Sequence, residues 1–560
     1  MTSTLPPGII LLLGAIAVAA VARRYTRAVT VAILILAAVA VALLPPGDGD
    51  LLRVGDLHLL TLLVDDTGQA AALVLTLVLA SAVLFGATAN RAASVALLVA
   101  GAAALGVTLA GDVVSLAASA LFGAVALAML VWADTGETNP AAGQRFTTLH
   151  LMLGFALLVA AVAELASGAN GIIGPPLAAD RWSRWLMIAA LASLLGAFPL
   201  GAWITDCLTA IRAETAPALI AITTVPPATA LLRLFPGEDV LMYVGATSLV
   251  YAMVMGAIEG NVRRLLGYGV IHAAGVTLIA TGLGGPRGVD AGLVLALAQA
   301  CALALMAMAL GTVLITTGRQ QVGELGGLGR AMPVAALMAI IAGAAFANLP
   351  LTAGFAGLMT GIAAAREEAP LLIWLVWWVA TAASVVHIAF RAPWRIFFGT
   401  SCGLRPPDAN RLARWAMAIL AVLLLAAGVF PSAVFALLPF AAEGTAITGA
   451  KLVAYGQLMT FAVLAWLLSQ PLRPRSSATY SDVGWLWQAG GPKLAHALFA
   501  LWDRYLGRAR RELATTAEHT RDRFMRWLIA RGRRHLGRSL SDQLAIVAVV
   551  LVLVLLVALT

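Results

Sequence analysis

The sequence predicts an all-α polytopic membrane protein of about 14–17 transmembrane helices, and three observations lead there. Of its 560 residues, 61% are hydrophobic and only 11% charged. The mean hydropathy is +0.94. Uncharged apolar runs recur along the chain between short polar turns, each near the length that a hydrocarbon core of about 30 Å requires. No soluble domain needs this composition.

The runs fall at about 5–21, 28–44, 70–88, 93–110, 113–133, 147–166, 182–201, 215–233, 240–258 and 265–283, then at about 289–316, 331–348, 352–366, 370–390, 411–440, 449–469 and 543–559. The first is followed by Arg23, Arg24 and Arg27 and a second apolar run, so it reads as a transmembrane helix and not a cleaved signal. Arg23 and Arg263-Arg264 are separated by an even number of runs, which puts them on one side. The positive-inside rule makes that side cytoplasmic and leaves the acidic loop 47–58 outside.

The net charge of +9 comes from arginine, since lysine occurs only at Lys451 and Lys493. The basic residues lie in loops and in one C-terminal segment, where they meet lipid headgroups; no soluble basic domain exists to bind nucleic acid. Cys207, Cys301 and Cys402 are isolated, which excludes grouped zinc or iron–sulfur ligands, so neither a metal nor a cofactor is expected. GLGGPRG (282–288) lies between two spans with no strand before it and reads as a tight turn, not a phosphate loop.

The stretch 194–235 is the one around which the chain is organised. It carries Asp206, Arg212 and Glu214 between apolar segments, then the pair Pro226-Pro227. Proline removes helix hydrogen bonds, and bare backbone at membrane depth survives only inside protein or beside a wet cavity, so a broken helix is expected at these prolines. Pro350 marks a second break. From about 471 a Pro/Ser/Thr linker leads into an arginine-rich amphipathic segment, read as an interfacial lateral helix, before a final span over 543–560.

Several stretches together resemble the antiporter-like subunits (L, M and N types) of respiratory complex I, a family that includes Mrp-type cation/proton antiporter subunits and membrane subunits of energy-converting hydrogenases. FPLGAWITDCLTAIRAETAPALIA (198–221) keeps that family's Pro199, Trp203 and Asp206. IEGNVRRLLGYGVIHAAG (258–275) keeps Arg264, Leu265, Leu266, Tyr268, Ile271 and Gly275. GELGGLGRAMP (323–333), NLPLTAGFAGLM (348–359) and FRAPWRIFFG (390–399) follow in the family's order. The resemblance implies two inverted five-helix repeats, each with a discontinuous helix and a half-channel. It also implies a redox- or antiporter-type complex as partner and protons or monovalent cations as cargo. It divides the chain into N-terminal helices (1–110), an antiporter-like core (111–400), C-terminal helices (401–470), linker and lateral helix (471–542) and a final helix (543–560), in a cell inner membrane.

The ionisable residues that the resemblance assigns to a proton path are missing. Its glutamate aligns with about Leu121, and its lysines with about Leu194, Leu303 and Leu358. Its histidines fall near Leu219 and Gln299, and Val225 occupies the broken-helix position. Arginine keeps its charge and cannot relay protons in their place. The candidate proton path is therefore His272, Glu259, His387 and Glu164, with His272 foremost because histidine titrates near neutrality. Glu259 is expected to pair with Arg263-Arg264, Asp206, Arg212 and Glu214 to form a local ion-pair set, and Glu164 to be wet. No catalytic constellation is present, so redox chemistry would lie in other subunits. Two alternatives stand beside a proton-conducting subunit: a scaffold that has lost its relay, and the membrane subunit of an ion or inorganic-carbon uptake system.

Overall fold

A computed structural model describes residues 6–469 apart from 50, 55–56, 88–89, 136–139, 169–170, 175–180 and 442–447, together with Lys493 and Ala497. Apart from Lys493 and Ala497, the linker, lateral helix and final span expected beyond 471 lie outside the described residues.

Helices α1 (Gly8–Ala20) and α2 (Thr26–Ala42) form a hairpin with Arg23 and Arg24 in its turn. Where the sequence suggested only an acidic loop, a small ribbon follows: Gly47–Asp48 pairs antiparallel with Leu63–Val64, and Leu51–Val54 with Leu57–Leu60. Backbone bonds from Gly111 to Leu60 (2.9 Å) and from Leu63 to Leu109 (2.8 Å) fasten it to the bundle. The chain continues through α3 (Asp66–Phe85), α4 (Arg91–Thr108), α5 (Val113–Thr135), α6 (Pro140–Ala166), α7 (Trp182–Leu195), α8 (Trp203–Ala210), α9 (Ala216–Leu234) and α10 (Asp239–Ile258). Then come α11 (Val262–Leu283), α12 (Gly285–Thr317), α13 (Pro333–Phe346), α14 (Gly354–Glu368) and α15 (Leu371–Ser384), which runs on into a π-helical stretch at Val385–Phe390. Helices at Arg411–Val429 and Gly449–Ser469 complete the described bundle. Among the described residues, twelve helical segments are long and apolar enough to cross a membrane, and Gly8–Ala20, Pro333–Phe346 and Gly449–Leu464 are shorter apolar helices beside them.

Local chemistry sets the helix starts. The side chains of Asp65, Asn90 and Asn410 accept from backbone N–H groups three residues on, at 2.6, 2.8 and 3.0 Å, and Asn261 accepts from Arg263 and Arg264. Each cap meets a donor that the first turn leaves unpaired. Helices α9, α11 and α12 are apolar all round and buried all round, so they form the centre. Helices α2, α6 and α10 turn Leu36, Phe155 and Val254 outward, a surface suited to lipid tails. At the α10–α11 contact a Cβ on Gly245 would lie 2.6 Å from the Gly275 carbonyl oxygen, so the close approach of these helices requires glycine.

The expected break at Pro226-Pro227 is not there: α9 is continuous through both prolines. Tight packing on every side holds the helix despite two lost hydrogen bonds. The discontinuities fall instead at Gly196–Ala202, between α7 and α8, and at 347–353, between α13 and α14, where Pro350 does stand in a break. Gly196 (φ +96°) ends α7 in the left-handed region, and Asn348 (φ +52°) and Leu351 (φ +70°) bend the second break.

Charged residues gather at the two ends of the bundle. One end carries Arg91, bonded to the Val21 carbonyl at 2.7 Å, with Arg263, Arg391 and the pairs Arg212–Glu214, Arg264–Glu259 and Arg145–Asp206. The other carries Arg233 with Asp65 at 2.9 Å, Arg181 with Glu164, Arg184 with Glu238, and Arg287 with Glu367 and Glu368.

Candidate functional site

The second break opens beside α11 and α12, and three fully buried polar side chains meet it. Gln299, on α12, donates from Nε2 to the Phe346 carbonyl at 3.0 Å and to Asn348 Oδ1 at 3.3 Å. The Phe346 ring lies with its centroid 5.0 Å from that of His272, on α11. His272, Gln299 and Asn348 are each 0% exposed. Both ring nitrogens of His272, Gln299 Oε1 and Asn348 Nδ2 have no hydrogen-bond partner among the described residues. A neutral imidazole offers one donor and one acceptor, so the cluster presents two donor atoms and two acceptor atoms in all. Each buried group left unmet costs about 1–3 kcal/mol, which makes this a place for bound water or an exchangeable proton and a poor place for dry packing.

The break needs its glycine. A Cβ on Gly354 would lie 1.8 Å from Asn348 Oδ1, so only glycine lets the start of α14 approach the amide. The Tyr455 hydroxyl donates to the Ala347 carbonyl and ties this bend to the last described helix.

The other candidates take different positions. Glu259 pairs with Arg264 at 3.2 Å, and its Oε1 accepts from the backbone of Gly260 and Asn261, so it serves the α10–α11 turn. Arg263 donates to the carbonyls of Thr209 and Ile211. His387 is half-buried in the π-helical stretch, beside Arg391, whose guanidinium bonds the carbonyls of Gly256, Ala257 and Glu259. Glu164 is not wet: its side chain is 0% exposed, bonded to Arg181 at 2.8 Å and to the Ser183 hydroxyl. The expected set of Asp206, Arg212 and Glu214 divides in two. Arg212 and Glu214 pair at 2.6 Å, while Asp206 is held by Arg145 on α6 through two bonds of 2.9 and 3.0 Å.

Arg145, Asp134, His150 and Asn348 were not singled out from sequence. Asp134 accepts from the Arg212 backbone at 3.1 Å. His150 is 2% exposed within α6, an apolar helix whose spacing gives no sign of it. Among the described residues no three His, Cys, Asp or Glu side chains converge as a metal site requires.

Residues 75–384 match the family described as NADH:quinone oxidoreductase/Mrp antiporter, TM. This chain belongs to that family. Among similar proteins are the F(420)H(2) dehydrogenase subunit L of Methanosarcina mazei, 28% identical over 233 residues, and the NADH-quinone oxidoreductase subunit L of Pseudomonas aeruginosa, 31% identical over 187 residues. The first match covers 40% of this chain and 34% of that protein, the second 30% of each. The chain thus spans about a third of the length of these curated relatives. The fold is shared with a chain of the membrane-bound sulfane sulfur reductase, an archaeal respiratory membrane complex, at a TM-score of 0.69 and 20% identity over 99% of this chain and 100% of that one. A chain of respiratory complex I from Thermus thermophilus gives 0.69 and 20% over 81% and 99%.

Of the apolar residues at the family's positions noted above, four lie in the interior, while Leu121 and Leu194 are half-buried. Leu219, Leu303, Leu358 and Val225 are all 1% exposed or less. The central helices therefore carry hydrocarbon at these positions, and beside threonines and Asp290 they bury the histidine and glutamine that meet Asn348 at the second break.

Proposed function

We propose that the chain is a proton-conducting, antiporter-like subunit of a multi-subunit membrane complex of the NADH:quinone oxidoreductase, Mrp or hydrogenase type, carrying no redox group itself. Its partners would be other membrane subunits, its cargo protons or monovalent cations, and its place a cell inner membrane with the arginine-rich end cytoplasmic. The family match and the names of the similar proteins support this assignment. On this reading residues 111–400 form the conducting core, built as two inverted repeats around the two helix breaks.

One observation carries the reading: the unmet donors and acceptors of His272, Gln299 and Asn348 at a helix break in the bundle centre. Irregular backbone at membrane depth is tolerated where it lines a cavity, and ionisable groups there mark ion pathways. Water bridging the two amides would bring a proton to the imidazole, and the freedom of both ring nitrogens allows it to enter on one and leave from the other. His272 then performs the exchange that a lysine performs by losing and regaining its proton. Glu259, His387 and Glu164 lie outside this cluster, and for Glu259 and Glu164 the geometry favours ion pairing.

A second reading has its own observation. Leu303 and Leu358, buried at aligned lysine positions, favour a scaffold that transmits no protons. Vesicles containing the native assembly, purified through a tag on this chain and driven by its own electron donor, separate the two. His272→Gln should lower proton movement at least tenfold with electron transfer and assembly intact. Undiminished movement would favour the scaffold.

A further inference from the structure

The last described helix, Gly449–Ser469, meets the bundle along one side only. Tyr455 and Trp466 are buried there, edge-on to Phe355 with centroids 5.6 Å apart and to Phe390 at 5.4 Å. The other side is uncovered among the described residues. Val453, Gln457, Thr460, Leu464 and Leu467 are all exposed, and they follow one another at steps of four, three, four and three. That alternation keeps them on one narrow seam, the pattern along which a second helix lies at a shallow angle.

Two residues of this face have no role inside the chain. Gln457 makes no hydrogen bond with any described residue. It stands about 12 Å along the helix from Gly449, at a depth where lipid tails offer its amide neither donor nor acceptor. Gly456 is beside it. A Cβ there would meet no described atom within 4 Å, so the chain's own packing does not ask for glycine, a poor helix former. The Thr460 hydroxyl donates to the Gly456 carbonyl at 2.8 Å, folded back on its own helix, which leaves the surface low at this point. Small residues let another backbone come close at membrane depth, and an exposed amide supplies a bond that holds it. The chain's own final apolar run cannot meet that amide, because residues 544–559 contain no hydrogen-bonding side chain.

We infer that this seam docks a transmembrane helix of a neighbouring subunit, one that brings a hydrogen-bonding side chain (Asn, Gln, Ser, Thr or His) to Gln457 and crosses close over Gly456. The inference rests on the multi-subunit membrane complex proposed above and names the surface by which this chain holds a neighbour. The carboxamide both donates and accepts, so one polar side chain opposite it sets the depth and register of the contact. Val453, Leu464 and Leu467 continue that contact with apolar packing towards both ends.

The test uses the native assembly, purified through a tag on this chain, with a benzophenone amino acid at position 453 or 464. Illumination should join both positions to one membrane-spanning helix of the same neighbouring subunit. Gly456→Leu, which adds bulk only on the open face, should cut that cross-link at least fivefold and release the neighbour on size exclusion, with the amount of this chain in the membrane unchanged. Gln457→Leu should weaken the contact in the same way, and Gln457→Asn less. Cross-links only to lipid, to residues 470–560 of the same chain or to a second copy of it overturn the inference, and so does a neighbour that stays bound and cross-linked in Gly456→Leu. A chain that purifies with no other subunit defeats the multi-subunit reading and this inference with it, whereas an intact assembly whose neighbours lie elsewhere defeats the docking seam alone.

Discussion

Arg145 holds Asp206 across the α6–α8 contact through two near-parallel hydrogen bonds of 2.9 and 3.0 Å. The planar guanidinium fits a carboxylate in this way and an ammonium does not. Arg145→Lys should therefore behave as a loss, with Asp206→Ala costing on the order of 1–2 kcal/mol because the pair is part-exposed. Thermal unfolding of both single variants and the double variant measures it, and the double variant should cost less than the two singles added.

Arg233 is the more expensive residue to remove. Only 5% exposed, it meets Asp65 at 2.9 Å and donates to the carbonyls of Thr108 and Ala110 at 3.2 and 2.8 Å, so it joins α9 to the cap of α3 and the end of α4. Arg233→Leu leaves two carbonyl oxygens without their donor and a part-exposed carboxylate without its cation. A loss of about 2–3 kcal/mol is expected, read as a drop in folded yield and thermal midpoint, with Asp65→Asn milder.

At the second break, Gly354→Ala should disrupt assembly although it adds one methyl group. The new Cβ would overlap Asn348 Oδ1, and Asn348 is already held by Gln299 on its other side. Asn348→Gly frees that space while keeping the positive φ, so the pair Gly354→Ala with Asn348→Gly should fold better than Gly354→Ala alone. Size-exclusion profiles of the purified assemblies decide it.

Glu367 gives a pH dependence with a fixed sign. The Arg287 guanidinium, through a hydrogen bond at 2.6 Å and its charge, holds this exposed carboxyl below the usual glutamate range. A lowered folded-state pKa means that the pair stabilises fully above the unfolded value and is lost as pH falls through the folded one. The thermal midpoints of wild type and Glu367→Gln should differ by a constant amount above about pH 5 and converge as pH falls through the lowered folded-state value.

Much of the fold was legible because the bilayer imposes one rule on every span. Apolar runs therefore located most of the helices, and the pairing of Glu259 with Arg264 followed from their spacing across one turn. The position of the breaks was not legible. Pro226-Pro227 carries the strongest local breaking signal, yet helices on all sides hold α9 together, while Gly196 and Asn348 break theirs through left-handed backbone that composition does not flag. Long-range partners were equally hidden. Asp206 has Arg212 and Glu214 within eight residues, and it pairs instead with an arginine 61 residues away. His150 left no trace because one polar residue in an apolar run has the same pattern whether it faces lipid, packing or a cavity.

The central claim is that histidine and amide groups, bridged by water, replace the lysines of the axis. A density map of the native assembly fine enough to show ordered water tests it most directly. The account requires water within hydrogen-bonding distance of His272, Gln299 Oε1 and Asn348 Nδ2. A dry cluster, with those groups bonded to each other or closed over by Phe346 and Leu303, would contradict it.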